Sequence, residues 1–108
     1  MASGAPGSGI ASMHATLGRY DGISGESQDE VIQVGRQLAA VVSKAPGFVS
    51  YALLEVGDGT LATVSVFETR AELQAADRLI AVWVAMHRTL LTPAGEGVSG
   101  EVLVQRGM

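Results

Sequence analysis

The chain contains no cysteine among its 108 residues, and this absence excludes several kinds of chemistry at once. Disulfide frameworks, thiol nucleophiles and cysteine-bound zinc are all impossible here. Positive charge is also scarce, because the chain has seven Lys and Arg against eleven Asp and Glu, which gives a formal charge of −4. A basic stripe for nucleic acid or an anionic membrane surface is therefore not expected. Apolar residues make up 47%, which is enough for a buried core in one domain.

No long hydrophobic run is present. The longest, Leu79 to Met86, is far shorter than the about 20 apolar residues that cross a bilayer. Residues 1–12 are rich in Gly and Ser and lack the basic start and apolar run of a signal peptide. We interpret them as a flexible leader before a single domain at 13–108, and we expect a cytoplasmic protein.

The first half of the chain alternates strand and helix patterns. Alternating apolar residues predict a strand from Met13 to Tyr20. Ser27 and Glu30 have the spacing of a capping box, and apolar residues then recur every three to four positions until Pro46. This pattern predicts the first helix.

The second half repeats the arrangement after a hairpin. Strands are predicted at 48–56 and 60–67, joined by Gly57-Asp58-Gly59, which can adopt positive φ. Thr69 and Glu72 form a second capping box, and the helix that follows is expected to reach about Leu91, before Pro93. The last strand is predicted at 101–105.

The order is therefore β-α-β-β-α-β. Two split β-α-β units with right-handed crossovers give a four-stranded antiparallel sheet with both helices on one face. The predicted fold class is α+β, a ferredoxin-like sandwich.

Both faces of the hairpin strands are largely apolar. Phe48, Ala52, Leu54 and Val56 are predicted on one face, and 49, 51 and 53 on the other. A sheet face left to solvent would show polar residues instead. We expect a second copy of the chain to cover the open face in a two-fold homodimer; cover by the leader or the C-terminal tail is the alternative.

Three stretches carry a resemblance to a known family: GRYDG at 18–22, the segment from Ala45 to Leu73 that begins APGFVSYALLEV, and AVWVAMHRTLL at 81–91. On these residues the chain resembles the antibiotic biosynthesis monooxygenase superfamily of dimeric α/β barrels, and is most similar to small stand-alone members. The resemblance implies a pocket between sheet and helices. It also implies the activities known in the family, namely cofactor-free oxygenation of polyketide phenols or quinol-like substrates and, in one branch, haem degradation.

The haem-degrading branch is matched at one position of three. Its histidine could correspond to His87, but the tryptophan expected near Ala76 or Asp77 is absent, and the first strand contains no asparagine. Haem binding with His87 as axial ligand is thus the weakest of the functions implied. We expect no cofactor.

His87 and Arg19 are the predicted catalytic residues. A neutral imidazole on the inward stripe of the second helix can take a proton from a phenol, although a histidine at a helix end can equally serve the helix dipole. The Arg19 guanidinium can hold an anionic oxygen, or can pair with Asp21 or Glu55 at the surface.

Five further residues are predicted to bind a small apolar or aromatic ligand. Trp83 can stack on a planar ring or fill the core, and Tyr51 can donate to a substrate oxygen or lie in the dimer interface. Ile80, Tyr20 and His14 complete the set. His14 and His87 lack acidic partners at metal-ligand spacing, so no metal is expected. Asp77 is interpreted as a solvated position on the second helix.

Two functions from different classes remain. One is a cofactor-independent oxygenase in which His87 acts as base, Arg19 stabilises the anion and Trp83 forms a wall. The other is a dimer that binds a small ligand without catalysis and needs the pocket but no base.

Overall fold

The computed structural model describes residues 12–22, 28–57, 59–87, 91–95 and 97–107. Within these ranges seven elements follow one another along the chain. They are β1 (His14–Gly22), α1 (Gln28–Ser43), β2 (Phe48–Gly57), β3 (Thr60–Phe67), α2 (Arg70–Met86), β4 (Leu91–Pro93) and β5 (Val98–Glu101).

The strands form one antiparallel sheet in which β3 pairs with β2 on one side and β1 on the other. The fourth position is shared by two short strands, β4 and β5, which both pair with the free edge of β1. The predicted ferredoxin-like α+β fold is confirmed. The hairpin glycines have positive φ as expected, +110° at Gly57 and +79° at Gly59, while Asp58 between them lies outside the described residues.

The last strand differs from the prediction of 101–105. It begins at Val98, ends at Glu101, and is preceded by β4. The reason lies in its partner: Glu101 pairs with His14, the first residue of β1, and the N–H of Val102 donates to the Met13 carbonyl at 2.8 Å. Beyond this point no described β1 residue pairs with Leu103, which is 85% exposed.

The second helix also ends earlier than predicted. Its last residue is Met86, and His87 is the C-cap, with its N–H donating to the Val84 carbonyl at 3.0 Å. Leu91 belongs to β4, where it pairs with Gly22. Two features favour extended chain here. Residues 91–93 pair with the end of β1, and the Pro93 ring disfavours helical backbone in the residue before it.

The N-terminal cap predicted for α2 is present. The Thr69 hydroxyl oxygen accepts from the Glu72 N–H at 3.2 Å and donates to the Glu72 carboxylate at 3.0 Å. The corresponding cap of α1 involves Ser27, which lies outside the described residues, as do residues 1–11 of the predicted leader.

The core lies between the helices and one face of the sheet. Phe67 is fully buried and meets Phe48 edge to face, with ring centroids 6.0 Å apart. Apolar side chains of both helices complete this cluster: Leu38, Val42, Leu73, Ala76, Ile80 and Val84. All six belong to the predicted apolar stripes of the two helices.

A β-bulge changes the predicted faces of β2. Phe48 pairs with Phe67 but Ser50 pairs with Val66, so one extra residue lies between them. Phe48 therefore shares the helix-facing side with Tyr51 and was wrongly grouped with Ala52 and Leu54.

The opposite, open face of the sheet carries an apolar row across four strands. Ala52, Val64, Leu17 and Val98 are successive register partners, and Leu54 and Arg19 flank Ala62 in the next row. Exposed fractions reach 49% at Leu17 and 62% at Val98.

Candidate functional site

A cavity of about 520 Å³ lies between the helix-facing side of the sheet and α2. β1 and β3 form its floor, α2 forms its roof, and residues 93, 95 and 97–99 form its outer wall. Its lining residues are Thr16, Gly18, Arg19, Tyr20, Thr63, Ser65, Asp77, Ile80, Ala81, Val84, Ala85, Pro93, Gly95, Gly97, Val98 and Ser99. The volume falls within the range of small-molecule sites, ~300–1,000 Å³.

Tyr20 and Thr63 form a hydrogen-bonded pair of hydroxyls on the floor. The strand register places Gly18 opposite Thr63, and a Cβ at Gly18 would stand 3.1 Å from Thr63 Oγ1 and 3.3 Å from the Tyr20 hydroxyl. The absence of a side chain at residue 18 thus gives the Tyr20 ring room to fold back along its own strand.

Asp77 is the acidic group of the described cavity lining. Its place on α2 sets it beside the buried stripe of Leu73, Ala76 and Ile80. Partial burial raises the pKa of this carboxyl. The pKa of Tyr20 is raised as well, first by burial and then by the negative charge of Asp77, while the bond to Thr63 opposes the rise. Asp77 thus lines the candidate cavity and is partly buried, whereas the sequence interpretation placed it at a solvated helix surface.

Two buried hydroxyls near this floor have no hydrogen-bond partner among the described residues, Ser65 Oγ and Tyr51 Oη. Ser65 lines the cavity and is 1% exposed. Tyr51 is its register partner on β2. Burial, with a smaller contribution from Tyr20, raises the pKa of Tyr51 to about 12, so the phenol stays protonated at neutral pH and can donate.

His87 and Trp83 are brought together, but not at the cavity lining. Their rings stack with centroids 4.0 Å apart and planes 16° from parallel. His87 Nδ1 lies 2.7 Å from the Trp83 carbonyl oxygen, which can only accept, so Nδ1 carries the proton in this contact. Trp83 packs against both core clusters. The catalytic role of His87 stays a prediction.

The other predicted site residues divide between the two faces. Tyr20 and Ile80 line the cavity, and so does Arg19, although Arg19 pairs with Ala62 at a register position on the open face. His14 is on the helix-facing side next to Phe67, outside the cavity lining, with Nδ1 3.1 Å from the Ser12 carbonyl oxygen.

Sequence reasoning missed the hydroxyl groups of the floor, Thr16, Thr63 and Ser65, together with Ser99. The available signal was their alternation with apolar residues on a predicted strand, as in Thr63-Val64-Ser65-Val66. Polar residues on the side that meets the helices indicate either a paired core group or a site.

Comparison with known proteins gives the fold and little else. No family model and no curated relative matches the sequence. Solved structures do match: a protein of unknown function from Nitrosomonas europaea, NE2512, has a TM-score of 0.74 at 19% identity, covering 92% of this chain and 97% of its own. The antibiotic biosynthesis monooxygenase resemblance is confirmed at the level of the fold.

Two further structures carry functional descriptions. SnoaB from Streptomyces nogalater, a cofactor-independent oxygenase, has a TM-score of 0.63 at 19% identity, over 91% of this chain and 98% of its own. A candidate antibiotic biosynthesis monooxygenase from Chloroflexus aurantiacus has a TM-score of 0.68 at 20% identity, over 89% and 98%. At this identity the similarity concerns architecture, because one fold hosts many functions.

Two features are absent from the part of the chain that the structure describes. No helix in that part of the chain has the length and apolar character needed to span a membrane. Nor do its His, Asp and Glu side chains form a group of three that could hold a metal ion.

Proposed function

We propose that this protein binds a small aromatic or polyketide-like molecule in the cavity under α2 and oxidises it as a cofactor-independent monooxygenase. The observation that carries the proposal is the cavity itself, about 520 Å³, with a base and a phenol side by side on its lining. SnoaB, which has the same fold, is a cofactor-independent oxygenase. The activity of SnoaB supports the reaction class proposed for this chain and does not specify its substrate.

In this chemistry the substrate supplies the electrons. A base removes a proton from an activated CH₂ group, or from the phenol conjugated to it, and the resulting anion adds dioxygen to form a hydroperoxide. Loss of water then converts the CH₂ group to a carbonyl, so one O₂ yields one carbonyl oxygen and one water. The protein must supply a base, a donor for the anionic oxygen, and a cavity that excludes water.

We assign the base to Asp77 and the donor to Tyr20. Burial that raises the pKa of Asp77 makes its carboxylate a stronger proton acceptor than an exposed one. The raised pKa of Tyr20 keeps its hydroxyl protonated, and Thr63 holds it in place. The competing assignment gives the base to His87, which is not part of the described cavity lining, and the anion stabiliser to Arg19, which lines the cavity but pairs at a register position of the open face.

The test is oxygen uptake with anthrone as probe, corrected for uptake without protein. We expect uptake equal to the anthraquinone formed, an at least tenfold loss in Asp77→Asn, and little change in His87→Gln. General base catalysis contributes typically 10²–10⁴-fold, so a missing base is easily seen. Loss in His87→Gln with full activity in Asp77→Asn would transfer the role to His87. No uptake above background would contradict the oxygenase proposal.

A second candidate is ligand binding without catalysis. The hydroxyl-rich floor favours it, since Thr16, Thr63, Ser65 and Ser99 can orient a ligand and none of them is a base at neutral pH. Calorimetric binding of anthrone without oxygen uptake would establish this function in place of the first.

We also propose that two copies form a homodimer through the open sheet face. Two members of the apolar row, Leu17 and Val98, are 49% and 62% exposed, and a monomer would leave both in water. In sedimentation velocity and native mass spectrometry we expect a dimer that Leu17→Glu converts to a monomer. Val82→Glu is the matched control, because Val82 is 58% exposed on α2 in the other layer. A wild-type monomer at every concentration would refute the dimer.

A further inference from the structure

A row of hydroxyl groups crosses the whole sheet on its helix-facing side. Tyr51 of β2 pairs with Ser65 of β3, Ser65 is aligned with Thr16 of β1, and Thr16 pairs with Ser99 of β5. Register partners share a face, so all four side chains lie on the side of the helices. Three of them, Ser65, Thr16 and Ser99, line the cavity. We call these four residues the hydroxyl row.

The hydrogen-bonding capacity of the row is only partly used. Ser65 Oγ is buried and has no partner among the described residues, and the same holds for Tyr51 Oη at the inner end. Thr16 Oγ1 donates to the Val98 carbonyl at 3.3 Å, so the capacity left to it is that of an acceptor. Ser65 Oγ can therefore donate a hydrogen bond to a ligand, and the neighbouring Thr16 Oγ1 can accept one.

The row is also electrically neutral. Arg19 also lines the cavity, but it pairs with Ala62 at a register position on the opposite face, and the carboxylate of Asp77 in the same lining opposes its charge. The four hydroxyls themselves carry no charge, so a carboxylate or phosphate would find no opposite charge within the row, and a buried anion without one is costly. Neutral oxygens, either carbonyl or hydroxyl, are the groups that this floor suits.

The spacing of the row selects among neutral ligands. Neighbouring strands lie ~4.7–4.9 Å apart, which sets the separation of successive hydroxyls. Oxygens on alternate carbons of an aromatic ring are separated by nearly the same distance. Oxygens on adjacent carbons lie much closer, at the distance of a hydrogen bond to each other.

We propose that the cavity floor recognises a 1,3-dioxygenated aromatic ring. One ring oxygen accepts from Ser65 Oγ, and the second, a hydroxyl, donates to Thr16 Oγ1. This inference names the substrate class of the proposed cavity and rests on ligand binding there, but not on oxidation of the ligand.

The experiment compares three ligands of one ring size by isothermal titration calorimetry under nitrogen, which prevents oxidation. They are 1,3-dihydroxynaphthalene, 2,3-dihydroxynaphthalene and 2-naphthol. We expect the first to bind about tenfold more tightly than the others, the size of effect that one well-placed hydrogen bond gives. Ser65→Ala and Thr16→Val should each remove this preference, so that the 1,3-isomer binds no more than two- or threefold more tightly than 2-naphthol to the same variant.

Ser43→Ala is the control, since Ser43 carries an exposed hydroxyl on α1 that donates to the Ala40 carbonyl, away from the cavity. It should keep the preference, and far-UV circular dichroism checks that every variant folds. Equal affinities for all three ligands in the wild type, or an unchanged preference in Ser65→Ala, would overturn the inference and leave cavity binding intact. Absence of binding by all three would overturn the cavity proposal with it. A 1,3-preference without oxygen uptake in air would support this inference and count against the oxygenase alone.

Discussion

Ser65 and Thr63 allow a direct comparison of an unpaired and a paired buried hydroxyl. Both residues lie on β3, face the helices, and are nearly inaccessible, at 1% and 6% exposed. Thr63 is hydrogen-bonded to Tyr20, whereas Ser65 Oγ has no partner in the described part of the chain. If the Ser65 hydroxyl is unpaired because its role is to bind a ligand, it lowers the free energy of unfolding of the ligand-free protein.

The magnitude follows from the cost of burying a hydroxyl. An unpaired one costs ~1–3 kcal/mol by mutational measures, and Ser65→Ala removes that cost while keeping Cβ and leaving only a small void. We expect Ser65→Ala to raise the free energy of unfolding by about 1 kcal/mol. Thr63→Val keeps the shape but leaves the Tyr20 hydroxyl without its partner, so we expect a loss of about 1–2 kcal/mol.

Urea denaturation followed by circular dichroism measures both changes, at one fixed protein concentration because association adds to apparent stability. The gap of about 2–3 kcal/mol between the two variants corresponds to a difference of more than ~8 °C in Tm for a domain of this size. Equal losses in the two variants would show that Ser65 is satisfied in the free protein, and the argument for a ligand-binding hydroxyl would fail.

Three further predictions concern other parts of the molecule. Gly47→Ala should destabilise more than Gly59→Ala, by about 1 kcal/mol in urea titrations. Both glycines have φ near +78°, but a Cβ at Gly47 would displace the Glu72 carboxylate from its hydrogen bond with Thr69, whereas a Cβ at Gly59 meets nothing within 4 Å. Similar losses in the two variants would exclude this displacement. Burial raises the pKa of Asp77 above its unfolded value of about 3.9, so the folded state holds the proton of this carboxyl more tightly than the unfolded state does. The stability that this bound proton contributes is lost as pH rises from ~4 through the folded pKa. Asp77→Asn should therefore gain stability relative to wild type between pH 4 and 7, and a constant difference would refute this. Phe67→Ala should lose about 3–5 kcal/mol, since its side chain is fully buried in the main cluster, and a loss under 2 kcal/mol would contradict that packing.

The fold was accessible from sequence because local signals agreed with one another. The Thr69 cap, the glycines of the hairpin and the apolar spacing on α2 each predicted what the structure contains. The predictions that failed concern long-range pairing. α2 stops at Met86, and the last strand is shifted to Val98, because both depend on where β1 offers a partner edge.

The candidate site was harder to predict, for a physical reason. A catalytic prediction from sequence favours His87, whose chemistry is versatile, and the structure sets that ring against Trp83 instead. Asp77 and Ser65 belong to residue types that are common on protein surfaces. They stand out here only because α2 and β3 pack together and partly or fully bury them. Burial of this kind depends on strand register, and the bulge in β2 shows that one extra residue is enough to change it.

The cavity itself follows from how two helices cover this sheet. α1 packs mainly against β2 and α2, while α2 also contacts β1 and β3. The helical residues that line the cavity accordingly come from α2. Small residues at this corner, Gly18 on the floor and Gly97 at the wall, do not fill the space that results. An apolar core would place large side chains there, as it does around Phe67. The same side of the sheet thus holds a packed core around Phe67 and, under α2, a cavity lined by hydroxyls and a carboxylate, where we propose that a ligand binds.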